Sequence, residues 1–143
     1  MTETDGQTDL RAIDREIAEL MGYTVSSRTL YAKSGGDSYV AWYLRAPDER
    51  EYNGGQAEGG AWGRVPAYSS TWEGFGLMVE EALRRGWEFS TAVWGRAGDG
   101  VPQAFITWRG RSLNKPWERA GSDIPHAFAL AMRDALKAAK EAA

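Results

Sequence analysis

Apolar residues recur at the helical period in three stretches of this chain and alternate with polar ones in four others. Between residues 8 and 21, Leu10, Ile13, Ile17, Leu20 and Met21 fall on one face of a 3.6-residue repeat. Thr8 precedes them as a cap, and Gly22 supplies a left-handed stop. Residues 1–7 read as a disordered tail. The second helical pattern, Trp72, Phe75, Val79, Ala82 and Leu83, follows Ser70 and Glu73 in the relation of a capping box and ends at Gly86. The third, Ile124, Phe128, Ala131, Met132, Ala135, Leu136 and Ala139, starts near Ser122 or Asp123, with Pro125 in the first turn.

Residues 23–31, 39–45, 87–94 and 103–109 have the β-branched and aromatic content and the alternation of strands. The expected order is α-β-β-α-β-β-α. Two hairpins set between helices imply antiparallel pairing, and strands apolar on both faces invite helices on both. The fold class expected is therefore α+β, a three-layer α/β/α sandwich with a central antiparallel sheet, formed as a single domain over residues 8–143. One stretch breaks the pattern. Residues 46–63, "APDEREYNGGQAEGGAWG", carry five glycines and five charges and show no apolar period. They read as a flexible insertion, or as a lid over a binding site.

Composition narrows the function classes. The chain has 143 residues, no cysteine and one histidine, so disulfides, thiolate metal sites and cysteine nucleophiles are excluded. No apolar run reaches the ~18 residues of a membrane span, and no hydrophobic leader opens the sequence. A net charge of −3 gives no strong nucleic-acid signal. Seven tryptophans exceed what so small a core needs, which leaves some for a pocket or a surface.

Several segments together, "LRAIDREIAELMGY", "PAYSSTW", "LMVEEALRRGWEFS", "AFITWRG" and "SDIPHAFALAMRDAL", resemble the phage ABA-sandwich domain family, small proteins of phages and prophages. The resemblance covers roughly residues 9–22 and 65–137. It implies an α-β-α fold, a phage or prophage origin and a place in the cytoplasm of the bacterial host. It implies no reaction, because the family offers no catalytic residues to carry over.

Candidate chemistry concentrates in "WRGRSLNKPWER", residues 108–119, where Arg109, Arg111, Lys115 and Arg119 stand against Glu118 alone. Arginine forks bind phosphate, and indoles stack on bases. The expected ligand-binding residues are Phe105, Trp108, Arg109, Arg111, Lys115 and Trp117. Arg109 and Arg111, two apart at a strand end, are expected on the face of Phe105 and Thr107, opposite Trp108. The bland alternative is a solvated basic loop whose stems cover apolar surface. Gly74 and Gly76, in the first turns of their helix, suggest close approach to a strand or a ligand. His126 lacks the serine elbow and carboxylate of a triad and reads as a capping neighbour of Asp123. The expected function is a non-enzymatic phage accessory protein, without cofactor or metal, that binds an anionic nucleotide-like small molecule. By fold-level analogy with phage anti-defence sponges, such binding would sequester a bacterial immune signal. The alternative is a protein-interaction or assembly module displaying tryptophans, and a homo-oligomer is expected in either case.

Overall fold

The computed structural model describes residues 3–32, 35–94, 100–114 and 121–142. Among them are ten elements: α1 (Glu3–Met21), β1 (Thr24–Tyr31), β2 (Ser38–Arg45), β3 (Glu51–Gly55), α2 (Glu58–Trp62), α3 (Trp72–Arg84), β4 (Glu88–Trp94), β5 (Val101–Trp108), β6 (Arg111–Ser112) and α4 (Ile124–Ala142). The α+β class, the antiparallel pairing and the packing of helices on sheets are as expected from the sequence. The order expands to α-β-β-β-α-α-β-β-β-α, and the strands form two three-stranded sheets, β1-β2-β3 and β4-β5-β6. Helix α1 begins at Glu3, inside the stretch expected as a disordered tail. The chain divides into two compact units: residues 18–66, and the remainder, 1–17 with 67–143.

In the unit of residues 18–66, β1 and β2 pair from Thr24 opposite Arg45 to Tyr31 opposite Ser38. Strand β3 joins on the other side of β2, with a register shift between Trp42 and Tyr43. Residues 46–63, expected as a loop, contain β3 and α2. The physical reason lies in the glycines. A Cβ on Gly60 would stand 1.9 Å from the Gly54 carbonyl oxygen, and one on Gly54 would stand 2.3 Å from the backbone of Ala61. Helix α2 therefore rests on β3 backbone to backbone, and glycine serves as the packing residue. Ala61 is buried there, with Ala41, Leu44 and Val65 completing the small core.

In the other unit, α4 lies along β5 and β4, and α3 packs beside it. Phe128 of α4 is fully buried and meets Phe75 and Phe89 edge-on, with ring centroids 5.1 and 5.3 Å apart. Ile17, Met78, Ala104, Ile106, Met132 and Leu136 fill the space around this cluster. The buried carboxylate of Asp14 accepts hydrogen bonds from the Ser69 amide (2.8 Å), the Ser69 hydroxyl (2.7 Å) and Arg11 Nη1 (2.8 Å). Those bonds satisfy the charge and tie α1 to the turn before α3.

Helix α3 is capped by Thr71, whose hydroxyl oxygen accepts from the Gly74 amide at 2.9 Å. Ser70, expected as the cap, is exposed one residue too early. Gly74 is small because a Cβ there would lie 2.1 Å from the Ala67 carbonyl, so it fits against the preceding turn and not against a strand or ligand. Gly76 has open space above it. The glycine stops hold at both Gly22 (φ 104°) and Gly86 (φ 78°). At each, the next amide bonds back five residues: Tyr23 to Ala18 O and Trp87 to Ala82 O, both at 2.9 Å.

Candidate ligand pocket

The β4–β5 ladder ends at the Glu88–Thr107 pair, and Trp87 and Trp108 are the residues next beyond it on the two chain segments. One step further, Trp108 pairs with Arg111 of β6, so their side chains share a face of the sheet. That face is the one carrying Ala104 and Ile106, against which α4 packs. Near the end of α4 the residues on that side are the half-buried Ala138 and Ala139 and the exposed Ala142. Their small side chains leave a pocket of about 540 Å³ between helix and sheet. Trp87, Trp108, Arg111, Ser112 and Leu113 form the sheet side, and Arg85, the last residue before the Gly86 stop, closes the α3 side.

The lining is apolar with cations at its edge. Trp87 is 6% exposed and Trp108 42% exposed. The Arg85 guanidinium lies 5.2 Å from the Trp87 ring centroid, and its Nε is 3.3 Å from a Glu81 carboxylate oxygen. Arg84 pairs with the same carboxylate. The Arg109 guanidinium stacks on Trp108 at 4.6 Å. Arg111 is exposed and has no carboxylate partner among the described residues, so its fork is the cation free to meet an anion.

Asn114 holds this corner together. Its side-chain oxygen accepts from the Ile106 amide at 2.8 Å, and its side-chain nitrogen donates to the Ala104 carbonyl at 3.1 Å. The buried amide thus extends the β5 ladder past the end of β6. It fixes Leu113, whose own amide bonds Ile106 O at 2.8 Å, against the pocket.

The structure separates the six sequence-predicted residues. Trp108 and Arg111 line the pocket. Arg109 occupies a two-residue turn with Gly110, both at positive φ (52° and 77°), and reaches the site only through its stacking on Trp108. This turn corrects the expected arrangement. The strand ends at Trp108, the chain reverses, and Arg111 returns on the Trp108 face instead of the Phe105 face. Phe105 lies half-buried on the opposite face, away from the pocket. Lys115 and Trp117 fall outside the described residues. Sequence reasoning missed Arg85, Trp87 and the α4 alanines; the signal was present in "RRGW", where an arginine and a tryptophan flank a helix-stopping glycine.

His126, at the first turn of α4, accepts the Ser122 amide on Nδ1 at 3.0 Å, and its own amide donates to Asp123 Oδ1 at 2.9 Å. Burial pushes its pKa down, with Arg133 adding to the fall and Asp123 and Asp14 opposing it. Among the described residues, no three His, Asp or Glu side chains gather as a metal site would need, and no helix is long and apolar enough to cross a membrane. Comparison of the chain with family models, curated proteins and solved structures finds no match.

Proposed function

We propose that the pocket between β4-β5-β6 and α4 binds a small molecule with a flat aromatic part and an anionic part, of the nucleotide type, without chemical turnover. The observation that carries this reading is the convergence of two indoles and two arginines on one pocket of about 540 Å³. That volume lies within the range of small-ligand sites, roughly 300–1,000 Å³. The aromatic part would lie against Trp108 above the alanine floor, and the anion would meet the Arg111 fork. A binder of this kind would suit the sequestration role drawn by fold-level analogy with phage anti-defence sponges.

The test is a thermal-shift and tryptophan-fluorescence titration with nucleoside monophosphates, cyclic dinucleotides and ADP-ribose. A ligand selective for the native state raises the melting temperature. Arg111→Ala should then weaken binding by roughly one to two decades, since a charge-assisted hydrogen bond contributes about 1.5–3 kcal/mol. Arg111→Lys should restore part of it. Absence of any shift or quench across the panel overturns the reading.

A further inference from the structure

One side of α3 carries an apolar stripe that the described residues leave largely open, its one ring contact among them being that of Trp72 with Phe75 at 5.6 Å. Trp72 is 66% exposed and Leu83 60% exposed, although the helical period of the sequence places both with the core-facing residues. Between them on the same line are Gly76 and the half-buried Val79. Gly76 is the informative residue. A glycine inside a helix is destabilising relative to alanine. Among the described residues nothing demands it, because a Cβ there would meet no atom within 4 Å. Gly74, two residues earlier, is demanded by the Ala67 carbonyl. A small residue with open space above it, flanked by an exposed tryptophan and an exposed leucine, is a seat for a neighbouring surface that comes close to the helix backbone.

We infer that this stripe is the contact of a two-fold dimer, in which α3 packs antiparallel against α3 of a second copy. The spacing is self-complementary. Residues 72, 76, 79 and 83 read with intervals of four, three and four, the same in both directions. An isologous antiparallel crossing therefore sets Trp72 against Leu83 of the second copy and Gly76 against Val79, a large residue opposite a smaller one in each case. The flank is charge-complementary in the same arrangement. Glu73 and Arg84 lie on one side of the stripe, at opposite ends of the helix, so the reversal brings each near the other in the second copy. Glu73 has no ion-pair partner among the described residues, and Arg84, paired with Glu81, is exposed enough to be shared. This inference stands independently of the pocket and needs no ligand.

Sedimentation velocity of the full chain, without ligand and across a wide concentration range, reads the association. The expected species at high concentration has twice the 15.8 kDa mass of the chain. Trp72→Glu should raise the dimer dissociation constant by about tenfold or more, as loss of a tryptophan that anchors an interface does. Its melting temperature at low concentration should fall only slightly, because the ring is 66% exposed and what it loses within its own chain is the edge contact with Phe75. Gly76→Leu should weaken the dimer equally while leaving the monomer folded, since the space above Gly76 is open. The chain lacks cysteine, so placement can be read directly. The double variant Glu73→Cys with Arg84→Cys, which keeps the apolar stripe intact, should be joined into a covalent dimer by a short bismaleimide. Glu73→Cys alone should not, because the two copies of position 73 lie about 13 Å apart along the helices. A monomer at every concentration overturns the inference. So does a dimer that survives Trp72→Glu, or crosslinking of Glu73→Cys alone as readily as of the double variant.

Discussion

Adjacent glycines in α2 should respond oppositely to the same substitution. At Gly60 an added Cβ would lie 1.9 Å from the Gly54 carbonyl oxygen, where contacts shorter than 3.0 Å do not occur, so α2 must retreat from β3 by about 1 Å. Both atoms belong to backbone, and no flexible side chain can give way. Overpacking of this kind destabilises by about 1–3 kcal/mol. At Gly59 the added methyl would meet nothing within 4 Å. There the substitution only removes unfolded-chain freedom and favours the helix, a gain of about 0.4–1 kcal/mol. Gly60→Ala and Gly59→Ala should therefore differ by roughly 2–4 kcal/mol, or roughly 5–15 °C in melting temperature for a chain of this size. Urea titration followed by circular dichroism measures the difference. Equal responses in the two variants would refute the backbone-to-backbone seating of α2. So would tolerance of a short glycine-serine bridge in place of residues 46–63, since that bridge removes β3 and α2 together.

Three further outcomes follow from buried polar groups. Asn114→Ala strands the Ile106 amide and the Ala104 carbonyl, each worth about 1–3 kcal/mol, so urea melts should show a loss of about 2–5 kcal/mol, with ligand affinity falling as Leu113 loosens. Asp14→Ala leaves the buried Ser69 amide unpaired, while the Ser69 hydroxyl keeps the Leu10 carbonyl at 3.1 Å, and should destabilise by about 1–3 kcal/mol, whereas Asp14→Asn, which keeps an acceptor oxygen, should cost less in the same assay. His126 has a depressed pKa in the folded protein, so its unfolded form binds a proton first. Its contribution is fully present above the ordinary histidine pKa of 6.5 and is lost as the pH falls below that value. The melting temperature should drop on acidification through that window, and His126→Asn should flatten the drop.

The legible parts of the fold are those where side chains carry the pattern. The stripes of α1 and α4 and the glycine stops at Gly22 and Gly86 follow from period and from backbone freedom alone. Residues 46–63 were illegible because packing there is done by absent side chains; "NGG" and "EGGAW" have loop composition whether they flex or interlock. The site was half legible for a similar reason. Aromatic and basic content marked Trp108 and Arg111, but the face each one occupies depends on a turn. Arg109 is a poor advertisement for positive φ, so two-residue spacing was read as one strand when the chain had already reversed. Trp72 and Leu83 fit the apolar period of α3, and period does not say whether an apolar residue meets its own core or another surface.

The bond between Asp14 and Ser69 spans 55 positions of sequence, and this has a consequence for biosynthesis. Residues 18–66 can emerge from the ribosome complete, with all three strands of their sheet and α2 available to pair. The first 17 residues, by contrast, emerge without partners: Ser69, α3 and α4 are not yet made. At about 5–20 residues per second, α1 waits on the order of 6 to 24 s before the last turn of α4 exists. During that interval the apolar face around Ile13 and Ile17 is uncovered, and the Asp14 carboxylate has only Arg11 and solvent to hold it. The residue that locks the finished unit thus makes its bonds to Ser69 only after all of residues 18–66 have been made.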